Sequence, residues 1–205
     1  MPSIYQLKPA FQNALRPTVR WLFDKGVTAN QITLLAAVVS VLVGIGIAIF
    51  AEQPLAFALI PLWMLVRMAL NAIDGMLARE FDQQSTLGAY LNELGDVVAD
   101  IALILPFALL PGACLWLVVL VAMLALISEY TGVLGPMVGA SRRYDGPMGK
   151  SDRAFVLGAL ATGIALGWVD ALWINAVFAG VAILLACTSG NRIHQGLKQV
   201  RAIAP

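Results

Sequence analysis

Acidic residues lie within a strongly apolar part of the chain, in a segment that runs from Asn71 to Asp100. Ionisable side chains near a membrane interior are costly unless they pair, bind a metal ion or line a wet cavity. This segment is therefore the first candidate for a functional site. Its acids are Asp74, Glu80, Asp82, Glu93, Asp96 and Asp100.

Two sets of residues in this segment recur at helical spacing and would each share one helix face. Neighbouring helices that carry these faces would direct carboxylate and amide oxygens into one pocket. Oxygen ligands without histidine or cysteine suit a hard cation such as Mg²⁺ or Mn²⁺. The first face carries Asn71, Asp74 and Ala78, and the second carries Gly88, Asn92 and Asp96.

The same spacing carries a family resemblance. The chain reads Asn71-x-x-Asp74-Gly-x-x-Ala-Arg79, eight residues, then Gly88-x-x-x-Asn92-x-x-x-Asp96. This resembles the signature of the CDP-alcohol phosphatidyltransferases, which has aspartate at all four of the positions occupied here by Asn or Asp. Asn71 and Asn92 stand in place of the first and third aspartates. Each asparagine removes a charge and keeps a carbonyl oxygen.

The resemblance implies a reaction. A phosphatidyl-type group moves from a CDP-linked lipid, such as CDP-diacylglycerol, to a small alcohol in phospholipid biosynthesis, with release of CMP. The resemblance gives Asp96 the catalytic role of removing the proton of the alcohol, and it implies a homodimer. The divalent ion, Mg²⁺ or Mn²⁺, would be bound by Asn71, Asp74, Asn92 and Asp96.

The donor nucleotide is expected to contact two parts of the chain. Glycine and alanine allow close approach of the nucleotide, and Arg79 can reach a phosphate. Residues 28–33 resemble the family's Thr-Pro-Asn-x-x-Thr sequence, which contributes to nucleotide binding. The alternatives are that Asn30 only caps a helix and that the small residues only allow helices to pack closely. The predicted donor-binding set is Asn30, Thr33, Gly75, Ala78, Arg79 and Gly88.

A basic loop at residues 141–153 suits phosphate capture, because it places cations beside glycines and a proline. In related enzymes, basic residues in this half of the chain bind a phosphorylated acceptor or the donor. The alternative is that the loop only anchors the chain at anionic headgroups. The predicted acceptor-binding set is Arg142, Arg143, Lys150 and Arg153.

Composition places the chain among multipass membrane proteins. Of 205 residues, 60% are hydrophobic and 12% charged, and the mean hydropathy is +0.84; a soluble domain has about 25% charged residues. We expect an all-α polytopic protein with no nucleic-acid partner and no cleaved signal peptide. Cys114 and Cys187 lie in apolar runs and are expected to be buried small hydrophobes without a disulfide. His194 is expected to face solvent.

Six apolar stretches are each long enough to span a membrane. They follow a basic amphipathic segment at 4–25, which Pro9 and Pro17 are expected to break into short interfacial pieces. We expect one domain, 1–205, with an interfacial helix at 1–27, a six-helix bundle at 28–190 and a cytoplasmic tail at 191–205. The stretches are 31–51, 54–78, 86–110, 113–134, 153–169 and 171–190.

The distribution of basic residues predicts the topology. Three short joints, at residues 52–54, 111–112 and 168–170, hold no Lys or Arg. Every basic residue except Arg67 lies at the other ends of the stretches or in the terminal segments. By the positive-inside rule, both termini and the motif are cytoplasmic, and we expect a bacterial inner membrane.

Arg67 is the one basic residue within a predicted span. Counting back from Arg79 and forward from Gly88 puts Arg67 and Asp100 at the same depth, about 18 Å along their helices. We expect them to form a buried pair, with Glu129 as a competing partner.

Two other classes of protein remain open at this stage. A divalent-cation transporter would also place acids in the membrane, and the two asparagines are compatible with a non-catalytic membrane scaffold derived from the family.

Overall fold

The structure, a computed structural model, describes residues 4–203, with the side chains of residues 10–202. The described chain consists of helices, turns and loops without a strand, which confirms the all-α class. Residues 1–3 and 204–205 of the predicted terminal segments, and the side chain of Lys8, lie outside the described part. The helices are α1 Ile4–Asp24, α2 Ala29–Ile49, α3 Leu59–Glu80, α4 Thr86–Ile104, α5 Leu115–Val133, α6 Lys150–Ala165 and α7 Ala171–Ile203.

Each of the six predicted apolar stretches overlaps one of the helices α2 to α7. Within the described part of the chain, four helical segments are long and apolar enough to cross a membrane: Ala29–Ile49, Pro54–Glu80, Leu115–Val133 and Ala171–Ala202. In contrast, α4 carries three acids and α6 has only 16 residues. The chain is therefore a membrane protein, and six spans stay a prediction.

Helix α1 is continuous, so the prediction that Pro9 and Pro17 break it is wrong. A proline within a helix removes one hydrogen-bond donor, and it often kinks the helix without ending it. Contacts with α3 support this helix: Arg16 donates to both carboxylate oxygens of Glu80, at 3.0 and 3.3 Å. Val19 is fully buried. The position of α1 at a membrane surface stays a prediction.

Helix α7 continues beyond its apolar part to Ile203, so the described part of the predicted tail is helical and not a separate segment. Two residues of this extension reach back into the molecule. Arg192 is 2% exposed and donates to the carbonyl oxygen of Ser128. Gln199 accepts hydrogen bonds from the loop between α5 and α6. These contacts order the extension.

The helices pack so that α2 lies between α3 and α4, while α5 packs on α7, and α6 on α3. Gly44 of α2 faces the backbone of Ala102 in α4, with no room for a Cβ. Such small residues let membrane helices approach closely. A small apolar cluster lies beside the motif and supports it; its buried members are Val19, Ala29, Ile32, Ile73, Met76 and Leu77.

The outer surface of the bundle is apolar, which corrects one expectation about the cysteines. Cys114 and Cys187 are both exposed, so their predicted burial is wrong, although both are free of a disulfide as expected. Hydropathy cannot separate the core from the lipid-facing surface, because both are apolar. His194 is exposed, as predicted.

Candidate active site

A polar cavity of about 360 Å³ lies between the start of α2, the end of α3 and the start of α4. It contains the whole predicted donor-binding set, together with two of the four predicted metal ligands, Asp74 and Asn92. The lining residues are Ala29, Asn30, Thr33, Asp74, Gly75, Ala78, Arg79, Gln83, Gln84, Ser85, Gly88, Ala89 and Asn92.

Asp74 supplies the buried carboxylate of this cavity. Its exposed fraction is 6%, and its Oδ2 accepts a hydrogen bond of 2.8 Å from Thr33 Oγ1. This bond links α3 to the first turns of α2. Asp74 therefore lines the cavity while α2 holds one of its oxygens.

Asn30 does not cap α2, so the capping alternative for this residue is wrong. Thr28 is the N-cap, and Thr28 and Gln31 form a reciprocal capping box. The side chain of Asn30 instead lies in the cavity, where its Nδ2 donates to Ser85 Oγ at 3.3 Å. Because another residue satisfies the helix end, Asn30 is available for binding.

Glycines keep two walls of the cavity open. A Cβ on Gly88 would lie 2.6 Å from Asn30 Oδ1 and 3.0 Å from Ser85 Oγ. A Cβ on Gly75 would lie 2.9 Å from Nη2 of Arg79, whose guanidinium therefore folds back over Gly75. A side chain at either position would displace a polar group that lines the cavity.

The other two predicted metal ligands, Asn71 and Asp96, do not line this cavity. Asp96 Oδ1 lies 3.0 Å from Arg67 Nη2, and its Oδ2 pairs with Lys150 Nζ. Among the described residues, no group of three His, Cys, Asp or Glu side chains is arranged to hold a metal ion. Mg²⁺ often takes only one or two carboxylates and completes its shell with water and substrate phosphates. Asp74 and Asn92 fit such a partial ligand set.

The predicted pair between Arg67 and Asp100 is confirmed, with Nη1 2.6 Å from Oδ1. Glu129, the expected competitor, has other partners instead. It pairs with Arg153 at 3.2 Å and with Arg192 at 3.5 Å. The buried charges of α3, α4, α5, α6 and α7 thus form one connected network.

The predicted acceptor-binding cations have different surroundings. Arg142 pairs with Glu93 and lies 4.7 Å from the ring centroid of Tyr144. Lys150 pairs with Asp96 and its side chain is 35% exposed. Arg153 is 2% exposed and lies 2.6 Å from an oxygen of Asp100. Arg142 and Lys150 are therefore accessible, while Arg153 is held inside the network.

Arg143 holds the loop that carries these cations. Its Nε and Nη2 donate to the carboxylate of Asp145 at 2.8 and 2.9 Å, and its Nη1 donates to Gln199 at 2.8 Å. The hydrogen bonds from Arg143 hold the pKa of Asp145 below its usual value. Gln199 also accepts from Ser141. Arg143 thus positions the loop.

Several cavity residues were not predicted from the sequence. Gln83 and Gln84 belong to the loop between α3 and α4, and Gln83 Oε1 accepts a bond of 2.7 Å from the backbone of Ala29. The eight-residue spacing between Arg79 and Gly88 contains this loop but does not assign a role to it. Outside the cavity, the role of Gln199 in holding the α5–α6 loop was not predicted either. No local sequence pattern indicates it, because the partners of Gln199 lie more than 50 positions away in the chain.

These observations define an all-helical membrane protein with a polar cavity built around Asp74. A family model described as CDP-alcohol phosphatidyltransferase matches residues 26–188, and the chain belongs to that family. The resemblance drawn from the motif is therefore confirmed. Inner membrane protein YnbA of Escherichia coli (strain K12) is 47% identical over 197 residues, covering 95% of this chain and 96% of that protein.

Solved structures of phosphatidylinositol phosphate synthase (PgsA1) from Mycobacterium tuberculosis share the fold at 18% identity. The structure with CDP-DAG bound matches with a TM-score of 0.74. The match covers 92% of this chain and 96% of the PgsA1 chain. The complex with manganese and citrate matches with a TM-score of 0.73, and that match covers 92% of this chain and 91% of the PgsA1 chain. At this identity the likeness is one of fold.

Proposed function

We propose that this chain transfers a phosphatidyl-type group from a CDP-linked lipid, CDP-diacylglycerol, to a small alcohol and releases CMP. The observation that carries the proposal is the cavity around Asp74, which gathers the whole predicted donor-binding set. The family supports the same reaction class. A protein of this fold has been solved with CDP-DAG bound.

The donor binds in this cavity. Gly75, Ala78 and Gly88 allow the nucleotide to approach the helix backbones, and Asn30 and Thr33 present polar groups from α2. Arg79 contacts the pyrophosphate, since a guanidinium matches phosphate oxygens in charge and geometry. The lipid tails then leave the cavity along the apolar outer surface of the bundle.

Asp96 acts as the base that removes the proton of the acceptor alcohol. Arg67 and Lys150 orient its carboxylate from two sides. Orientation matters because a general base must lie within hydrogen-bond reach of the proton that it takes. Arg142 and Lys150 contact an anionic group of the acceptor, while Arg143 and Arg153 position them.

The divalent ion is Mg²⁺ or Mn²⁺, and it would neutralise charge on the pyrophosphate. Asp74 and Asn92 would hold it from the cavity, whereas Asn71 and Asp96, the other two members of the predicted ligand set, lie outside the lining. A structure of the same fold in complex with manganese supports a divalent ion.

The chain crosses the inner membrane of a bacterium six times, with α4 and α6 inserted beside the four apolar helices. Both termini and the cavity face the cytoplasm, α1 lies at the membrane surface, and two copies form a dimer. The name of the Escherichia coli relative supports this location.

The test is the reaction of purified protein with CDP-diacylglycerol and a panel of alcohols that includes glycerol phosphate, inositol phosphate, serine and amino alcohols. We expect one acceptor to yield a new phospholipid by mass spectrometry, with CMP released in equal amount. Absence of product and CMP with every acceptor, from folded protein, would contradict the proposal. It would favour the transporter or scaffold, which a divalent-ion flux assay in proteoliposomes distinguishes.

A further inference from the structure

Both carboxylate oxygens of Asp96 are in contact with cations of this chain. Lys150 Nζ, in the first residue of α6, pairs with Oδ2, and Arg67 Nη2 of α3 lies 3.0 Å from Oδ1. The side chains of Asp96 and Lys150 are 21% and 35% exposed, so water screens the pair only in part. A metal ion at Asp96 has to displace one of these cations or share the carboxylate with it.

The remaining predicted ligands offer little negative charge. Asn71 and Asn92 are neutral, and the nearby acid Asp100, which is not in the predicted set, is held by two arginines at 2.6 Å each. Asp74 is the cavity-lining carboxylate that forms no salt bridge with a described lysine or arginine. One carboxylate and one amide supply too few ligands to replace the hydration shell of a small divalent ion.

We propose that Lys150 is a built-in cation that neutralises Asp96 in place of a metal ion. The chain accordingly binds one divalent ion, at Asp74 and Asn92, and binds it only together with a nucleoside diphosphate. The inference rests on the proposed function, which supplies the nucleotide. Phosphate oxygens provide the missing ligands and charge, and Arg79 holds the same phosphates from the other wall.

This arrangement has a thermodynamic consequence. If the nucleotide raises the affinity for the metal ion, the metal ion raises the affinity for the nucleotide by the same factor. Removing the charge of Lys150 frees Oδ2 of Asp96 for a metal ion. The variant should therefore bind metal without nucleotide, and the coupling between the two ligands should fall.

The experiment measures Mn²⁺ binding to the purified full chain in detergent by electron paramagnetic resonance, with and without CDP. CDP binding itself is measured by calorimetry. For the wild type we expect Mn²⁺ to bind at least about tenfold more tightly with CDP, within the usual range of coupling. Lys150→Met and Lys150→Gln should bind Mn²⁺ more tightly than the wild type in the absence of CDP. Lys198→Met, at an exposed lysine on α7, is the control of equal charge.

Two results overturn the inference and leave the proposed function intact. The first is a wild type that binds CDP and has the same Mn²⁺ affinity with and without it. The second is that the Lys150 variants have the same Mn²⁺ affinity as Lys198→Met in the absence of CDP. If CDP does not bind at all, with or without Mn²⁺, the proposed function itself fails. The comparison within the wild type needs no variant, so it remains decisive even if the Lys150 variants do not fold.

Discussion

The two carboxylates of the motif, Asp74 and Asp96, lie in different surroundings although they share one sequence pattern. Asp74 faces the cavity and is held by the hydroxyl of Thr33. Asp96 lies beyond the lining, between Arg67 and Lys150. Different surroundings allow two carboxylates to take different roles. In the proposed function, Asp74 holds the metal ion that neutralises the pyrophosphate, and Asp96 deprotonates the acceptor.

Replacing either carboxylate by its amide should stop transfer and leave the protein folded. Asp96→Asn removes the base, which typically costs about 10²- to 10⁴-fold in rate, and Asp74→Asn removes the carboxylate that lines the cavity. CMP release from CDP-diacylglycerol measures the effect. Asp24→Asn, at an exposed acid of α1, is the control. Wild-type turnover in either motif variant would exclude the assignment of that residue.

Gly88→Ala should weaken donor binding with little effect on stability. The new Cβ would lie 2.6 Å from Asn30 Oδ1 and 3.0 Å from Ser85 Oγ. Both atoms end short side chains that can move, so the cost is the displacement of Asn30 from the donor site. We expect a higher KM for the CDP-lipid, measured at saturating acceptor.

Gly95→Ala is the matched control on the same helix, α4. There a Cβ meets Ala37 Cβ at 3.4 Å, an ordinary contact. Alanine favours a helix by about 0.8–1.0 kcal/mol over glycine, so this variant should be slightly more stable. Equal donor KM in Gly88→Ala and Gly95→Ala would contradict the role given to Gly88.

At the residue scale, the motif predicts which side chains surround the cavity, and it fails where long-range contacts decide. Asn30 and Gly88, which the resemblance places in one donor-binding set, meet across two helices. The partner of Asp96, Lys150, begins α6 after a loop whose path no local pattern specifies. Helical spacing places Asp96 on the face of Asn92 but not at the depth of the cavity.

At the scale of helices, buried charges hold α3, α4, α5 and α6 together. Arg67 of α3 bridges Asp96 and Asp100 of α4, and Arg153 of α6 joins Asp100 to Glu129 of α5. Asp100 and Glu129 each pair with more than one arginine, and Asp96 pairs with Arg67 and Lys150, so the contacts are mutually dependent. The network thus couples the position of Asp96 to the packing of the bundle.

Arg67→Ala should destabilise the protein by about 3–5 kcal/mol, because it leaves buried acids with less compensation. Since Arg67 also contacts Asp96, turnover should fall as well. Thermal unfolding in detergent and turnover per folded molecule measure the two effects. Arg20→Ala, at an exposed arginine of α1, is the control. Equal stability of the two variants would contradict a structural role for Arg67.

Exchanging the two charges, as Arg67→Asp with Asp100→Arg, should not restore stability. A pairwise view of Arg67 and Asp100 predicts partial recovery. In the structure Asp100 also lies 2.6 Å from Arg153, so an arginine at position 100 would face another arginine. Stability of the exchanged variant above that of Arg67→Ala would show that the network can rearrange.

Helix existence follows from hydropathy, whereas helix ends depend on partners. Sequence predicts α2 to α5 within a few residues, since their apolar runs end where polar joints begin. It ends α7 too early, because Arg192 and Gln199 are polar yet bind the neighbouring helix and loop. The sequence also predicts a break in α1 at its prolines, whereas the helix is continuous and contacts with α3 support it.

At the scale of the whole molecule, the two ends of the bundle differ in chemistry. The motif, Arg142 and Lys150 lie at one end. Three exposed tryptophans flank joints at the other end, and their exposed fractions are 77% for Trp116, 77% for Trp168 and 61% for Trp173. Tryptophan favours the membrane interface, and Lys and Arg favour the cytoplasmic side. Tryptophan marks either interface, so it places these joints at a membrane surface without giving the side, and the basic residues at the motif end are what supports the proposed cytoplasmic cavity.

This orientation can be tested with the two native cysteines. Cys114 is exposed at the α4–α5 joint, on the end with the tryptophans, while Cys187 is exposed on the apolar part of α7. A membrane-impermeant maleimide should therefore label Cys114 in intact cells, because the joint faces the outside, and spare Cys187, which lipid covers. In a Cys114→Ala background, Ser141→Cys should react only after the inner membrane is permeabilised. Labelling of Ser141→Cys but not Cys114 in intact cells would reverse the topology, and the cavity would then face away from cytoplasmic CDP-lipid.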